Sequence, residues 1–239
     1  VPAVKLNLSP RLLALAGMAL PGKPAADIGT DHGYLPAHLA LNKICPFVIA
    51  TDRAEGPLGA ARSLVEFLCL ESAVELRLGV GLRVLEPGEA ATVFLSGLGG
   101  RNIMDILEAS PAVWASAERL VLQPQKEAPA LRRFFSKNGW RIVEEEIVRE
   151  GGFFYEIMAA EKGEQALSEK EAEFGPLLPA KRHPLLPALL KDKKARAEES
   201  LRLASSTQGA QAKLRQAYLR NHLAMIYEVL RDIEQSSQF

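Results

Sequence analysis

The run Ala26-Asp27-Ile28-Gly29-Thr30-Asp31-His32-Gly33-Tyr34 gathers two acids, two glycines and an imidazole into nine residues. It follows a short apolar stretch with strand character and leads into an apolar stretch, opened by Leu35-Pro36, with helix character. Strand, glycine turn and helix in that order form the cradle of a nucleotide-like cofactor. A dinucleotide pyrophosphate would need bare backbone N–H groups at the helix start, and Asp27 and Asp31 would repel that anion. A sulfonium and an ammonium would be attracted by the same carboxylates, so the turn points to S-adenosylmethionine. Glycine and aspartate also serve turns and helix caps without any ligand. The second half of the unit favours the cofactor. The strand-like Pro46-Phe47-Val48-Ile49-Ala50-Thr51 ends in Asp52, 25 residues after Asp27, close to the ~20-residue spacing at which an acid grips a ribose hydroxyl pair.

The elements that must hold these residues follow from periodicity and punctuation. Ser9 is an N-cap with Pro10 in the first turn of a helix. Strands are predicted near 24–28, 46–51, 73–78, 91–96 and 119–123, and helices near 34–43, 56–70, 100–109 and 126–138. Strands alternating with helices of this length predict a parallel α/β sheet, Rossmann-like, with helices on both faces. After Asn138-Gly139 the rhythm changes. Trp140–Val148 and Phe153–Ala160 are β-prone runs joined around Glu150-Gly151-Gly152, a hairpin signal. Five alternating strands closed by an antiparallel hairpin is the layout of class I methyltransferase domains; a dehydrogenase half would continue with parallel units.

A catalytic domain is expected over 1–160 and a helical coiled-coil domain over 161–239, with Phe174-Gly175-Pro176 and His183-Pro184 breaking structure between them. Ala197, Leu201 and Ala204, then Leu219, Leu223, Ile226, Leu230 and Ile233, are spaced as a coiled-coil seam, with a turn at Ser205–Gly209. That tail is an antiparallel hairpin whose seam could also join two chains as a homodimer.

The chain has 239 residues, 48% of them hydrophobic, with 29 basic against 29 acidic side chains. Neutrality argues against a globally basic nucleic-acid binder. Between Lys181 and Arg220, however, ten Lys/Arg face three acids, and Lys191, Lys193, Lys194 and Arg196 form a run that could meet phosphates or simply be a solvated helix face. No apolar run reaches the ~18 residues of a membrane span and no signal-peptide pattern is present, which points to the cytoplasm. Cys45 and Cys69 sit among apolar neighbours and read as buried thiols. The four histidines form no cluster, so no metal is expected.

Gly79-Val80-Gly81-Leu82 follows the third strand, Ser96-Gly97-Leu98-Gly99-Gly100 the fourth and Leu122-Gln123-Pro124 ends the fifth. Open α/β sheets bind ligands outside the carboxyl ends of their strands, so these pieces converge on one crevice. Together with residues 26–36, Asp52, Gly56-Pro57-Leu58 and Phe154-Tyr155-Glu156-Ile157, they closely resemble the bacterial tRNA (adenine-N1)-methyltransferases of the TrmK type, which modify adenine 22. The resemblance spans nearly all of residues 8–160, and the tail matches the family's C-terminal coiled coil.

It implies methyl transfer from S-adenosylmethionine to a tRNA adenine. On this reading Asp27 binds the aminoacyl part, Gly29 and Gly33 permit close backbone approach, Thr30 is a further cofactor contact, Asp52 takes the ribose, Arg53, Gly79, Val80 and Gly81 border the adenine, and Ser96 and Gly97 border the methyl group. Asp31 is the catalytic candidate, or else only holds the cofactor ammonium or caps the helix. His32 is read as a structural hydrogen-bond partner. The tail would contribute to tRNA binding. Two departures stand out. The family commonly has Ala-Gly-Met-Gly-Gly where this chain has Ser96 and Leu98. Val80 replaces a polar residue and cannot accept a hydrogen from the adenine N6. The rival readings are a nicotinamide-dependent dehydrogenase, a methyltransferase for a protein or small molecule, and a non-catalytic RNA-binding module.

Overall fold

The computed structural model describes residues 6–206 and 208–236. They divide into two compact units between Gly175 and Pro176.

In the first unit, α1 (Pro10–Gly17) opens where Ser9 accepts a hydrogen bond from the Leu12 N–H, as the N-cap signal predicts. Then follow β1 (Ala25–Ile28), α2 (Tyr34–Leu41), β2 (Val48–Asp52), α3 (Glu55–Phe67), β3 (Val74–Leu78), a 3₁₀ turn at Gly81–Val84 and β4 (Thr92–Leu98). The chain continues with α4 (Gly100–Glu108), α5 (Pro111–Ser116), β5 (Arg119–Pro124), α6 (Ala128–Lys137), β6 (Trp140–Glu150), β7 (Phe153–Lys162) and α7 (Glu169–Phe174). The seven strands lie in the order β3-β2-β1-β4-β5-β7-β6. The first five are parallel, and β7 runs antiparallel to both β5 and β6.

Every predicted strand and helix of this unit is present within a few residues of its expected bounds. β1 is buried along its whole length, as a central parallel strand must be. Leu15 of α1 and Leu39 of α2 pack with Phe94, Val121 and Ile157 of the sheet. Val65 of α3 packs with Ala50 and Val74. Trp114 of α5 meets Trp140 at 5.4 Å between ring centroids.

The short helices α5 and α7 lie outside the expected pattern. Each has a readable start: Pro111 after Ser110, and a capping box in which Ser168 and Glu171 bond each other's backbone N–H groups. The expected domain break at 160/161 is corrected to the Phe174-Gly175-Pro176 break. The reason is that the intervening chain docks on the first unit: Ser136 donates to the Gln165 carbonyl, and Arg132 on α6 donates to the Ala172 carbonyl of α7. Arg132 is wholly buried and pairs with Glu145 and Glu156, each at 2.9 Å.

Cys45 is buried, but Cys69 is exposed. It occupies the left-handed turn that ends α3, at φ 53°, where Leu70 turns inward while Cys69, like Phe67, faces out.

The second unit contains α8 (Leu186–Ser205) and α9 (Ala210–Ser236). Ala197, Ala204, Leu219 and Leu223 are buried together with Leu201 against them. Further along α9, Ile226 and Val229 are buried whereas Leu230 and Ile233 are half-buried, so the seam drifts from the expected register. Thr207 of the expected turn lies outside the described residues. No helix among the described residues is long and apolar enough to cross a membrane.

Candidate functional site

The carboxyl ends of β1, β2, β3 and β4 open onto a cavity of about 700 Å³, within the roughly 300–1,000 Å³ usual for small-molecule sites. Among the residues lining it are Asp27, Gly29, Thr30, Asp31, Asp52, Arg53, Gly79, Val80, Gly81, Ser96 and Gly97. Of the cofactor and catalytic candidates, Gly33 alone is outside the lining. It begins α2 at φ 73°, and a Cβ there would fall 2.8 Å from the Cβ of Ala61. Its missing side chain lets α2 and α3 approach, so its role lies in packing rather than at the cavity surface.

The turn after β1 is stitched to the end of β2. The Thr51 carbonyl accepts the N–H groups of Gly29 and Thr30, at 2.9 and 2.8 Å. Asp52 extends this seam: Oδ2 accepts the Asp31 N–H at 3.2 Å and Oδ1 the Ala54 N–H at 3.0 Å. Parallel pairing of Ile28 with Thr51 brings the two acids of the sequence motif to neighbouring strand ends.

Asp27 is buried, with its Oδ2 accepting the Thr30 hydroxyl at 2.8 Å. Burial pushes its carboxyl up to about 6; the Asp52 charge adds to that rise, while the Thr30 hydrogen bond and Arg11 oppose it. Asp31, in contrast, is exposed at φ 54°, with one oxygen 3.6 Å from His32 Nε2. His32 is itself exposed, lines the cavity, and has Asp31 as its polar neighbour in the turn.

On the β4 side the ladder with β5 slips between Ser96 and Leu98. Gly97 is the bulged residue, at φ 72°, and its N–H donates to Gln123 Oε1 at 3.2 Å. A bulge beside a site turns the strand end toward it, and a Cβ on Gly97 would meet no atom within 4 Å.

Sequence reasoning missed several lining residues: Arg11, Tyr34, Asn102, Asp105 and Gln125. Arg11 comes from α1, ahead of the motif. Its Nη1 donates to Gln123 Oε1 at 3.1 Å and its guanidinium lies 5.5 Å from the Tyr155 ring centroid. The only available signal was its place in the first turn of a well-capped helix. Among the described residues no group of three or more His, Cys, Asp or Glu is placed to hold a metal.

The tail residues stand on α8. Lys194 is 3.7 Å from Glu198 and 4.7 Å from the Tyr227 ring centroid, and Arg196 pairs with Asp192 at 2.9 Å. Lys191 is exposed.

The donor set fits S-adenosylmethionine. A buried acid and a second acid on the neighbouring strand suit a cationic aminoacyl group and a ribose, and the glycine-lined walls admit a flat base. A five-stranded parallel sheet closed by an antiparallel hairpin, with this cavity at its carboxyl edge, defines a class I methyltransferase domain. The chain belongs to the TrmK family, tRNA (adenine(22)-N(1))-methyltransferase, whose family model matches residues 25–228.

The tRNA (adenine(22)-N(1))-methyltransferase of Bacillus subtilis is 38% identical over 161 residues, covering 67% of this chain and 68% of that protein. The crystal structure of the B. subtilis m1A22 tRNA methyltransferase TrmK superposes with a TM-score of 0.86 at 30% identity, over 95% of this chain and 100% of that one. That of Streptococcus pneumoniae Sp1610, a putative tRNA (m1A22) methyltransferase in complex with S-adenosyl-L-methionine, gives 0.85 at 32% identity, over 94% and 100%.

Proposed function

We propose that this chain transfers a methyl group from S-adenosylmethionine to N1 of adenine 22 in bacterial tRNA, with the cavity at the ends of β1, β2, β3 and β4 as the active site. The observation that carries the site assignment is the buried Asp27 beside Asp52. These two carboxylates would repel a pyrophosphate and attract a cation, which sets the nicotinamide reading aside.

S-adenosylmethionine, when bound, supplies an electrophilic methyl group on a cationic sulfur. Asp27 would hold its ammonium and Arg11 its carboxylate, with Gly29 and Thr30 alongside. Asp52 would take the ribose hydroxyls. Arg53, Gly79, Val80 and Gly81 would border the adenine, where Val80, 60% exposed, offers apolar contact and no hydrogen bond. Ser96 and Gly97 would border the methyl group.

Adenine N1 carries a free in-plane lone pair, so attack needs no prior deprotonation and positioning can supply much of the rate. Positive charge then moves onto the base. Asp31, exposed and free to face an incoming nucleotide, would stabilise that charge or accept an N6 proton. N1 lies on the Watson–Crick edge, so the base must leave its stack before reaction. The tail would read folded tRNA through its backbone, by way of Lys191, Lys193, Lys194 and Arg196. Its apolar seam closes within one chain, which favours this role over a homodimer seam.

The test is transfer from labelled S-adenosylmethionine to unmodified bacterial tRNA, followed by nucleoside analysis. Label in 1-methyladenosine, lost when adenine 22 is replaced by guanine, is the expected result. Label in protein alone would overturn the reading.

A further inference from the structure

The tip of the β6–β7 hairpin is placed at the same edge of the sheet as the cavity. β7 runs antiparallel to β5, with Leu122 opposite Met158 and Arg119 opposite Glu161. The first residues of β7 therefore extend past the carboxyl end of the parallel strands. Phe153 pairs with Glu150 across the tip, behind the Gly151-Gly152 turn.

Alternate strand residues share a face, so Phe153 and Tyr155 lie on one face. That face is joined to the cavity through Arg11: its N–H donates to Glu150 Oε2 at 3.0 Å, its guanidinium covers Tyr155, and it lines the cavity itself. Phe153 is thus an aromatic ring, 61% exposed, on the hairpin face that Arg11 joins to the cavity, and it sits on a hydrogen-bonded ladder. On the other face Arg149, exposed, lies 5.5 Å from the Phe154 ring centroid.

We propose that this tip is a nucleobase-stacking platform, with Phe153 covering an RNA base next to the target adenine and Arg149 meeting a neighbouring phosphate. The inference rests on the tRNA methyltransferase reading and adds a substrate contact to it. When the target base leaves the stack, its neighbour is left with a bare face, and proteins that bind unstacked bases cover them with aromatic rings. One exposed ring on one face of the tip and one cation on the other suit a base and the phosphate of a strand that straddles it. A protein partner would require a far larger buried surface, about 800 Å² per side.

Two full-length variants and an unmodified tRNA transcript test the platform. Phe153→Trp should show emission quenched on adding tRNA, beyond any change in the wild type, whose Trp114 and Trp140 are buried. Phe153→Ala should raise KM for tRNA about ten-fold, with Phe153→Trp restoring it. S-adenosylmethionine affinity and melting temperature should stay at wild-type values. The platform is overturned if Phe153→Trp is not quenched, or if Phe153→Ala leaves KM within two-fold. It is equally overturned if Phe153→Ala lowers cofactor affinity and stability together, since the ring would then be packing. Quenching is read without transfer, so a wild type that binds but does not methylate tRNA would count against the function and not against the platform.

Discussion

Asp27 and Thr30 share a buried hydrogen bond, Oγ1 to Oδ2 at 2.8 Å, in the wall of the cavity. One hydroxyl does not replace the water lost by burial, so the carboxyl ionises only near pH 6 against 3.8 when exposed. The sign follows. Below pH 3.8 the group is protonated in both folded and unfolded chains; as pH rises through about 6 the folded form must carry a buried charge and loses that stability. Asp27→Asn should therefore stabilise the cofactor-free protein near neutral pH by roughly 1–3 kcal/mol, and the gain should shrink as pH falls toward 4. Melting curves of both proteins across this range test it, and a gain independent of pH would contradict the assignment. A bound cation favours the ionised form, so wild-type affinity for S-adenosylmethionine should weaken below about pH 6, and Asp27→Asn should bind poorly throughout.

Asp31 stands in the opposite environment, exposed and beside His32. If it stabilises charge on the base, Asp31→Asn should lower kcat about 10²–10³-fold while calorimetric affinity for S-adenosylmethionine changes by less than three-fold. Parallel losses in kcat and cofactor affinity would reassign it to the ammonium.

Gly33→Ala should destabilise the fold by about 1–3 kcal/mol, from left-handed strain and from contact with Ala61. Denaturant unfolding reads the loss. Activity per folded molecule should hold, because Gly33 does not line the cavity; a Gly33→Ala protein of full stability and no activity would place the residue in the site after all.

Charge reversal of Lys191, Lys193, Lys194 and Arg196 should weaken tRNA binding and flatten its salt dependence. The slope of log K against log salt should fall by about 2 to 3, less than four full phosphate contacts, because Lys194 and Arg196 already have acidic neighbours. Unchanged affinity would remove this face of α8 from the recognition surface.

Much of this was legible from residue order. Asp27 and Asp52 end successive parallel strands, so their spacing along the chain carried their proximity. The hairpin was legible because Gly151-Gly152 separates two β-prone runs. Helix α7 could have been read from Ser168 and Glu171, whose capping box is local. Arg11 could not, since its approach to Gln123 and Tyr155 joins segments more than 100 residues apart. Cys69 misled because apolar neighbours along a chain do not say which side of a turn faces water.

The amino-acid sequence by itself determined the alternation of strands and helices, the acid-bearing turn and the family, because periodicity, capping and short-range spacing are local properties of the chain. Only the tertiary structure decided which carboxylate is buried and which exposed, that Gly33 serves Ala61 and not the cavity, and that Phe153 is exposed on the hairpin face that Arg11 joins to the cavity. Burial and desolvation depend on what packs against a residue from distant segments, and no local pattern encodes them.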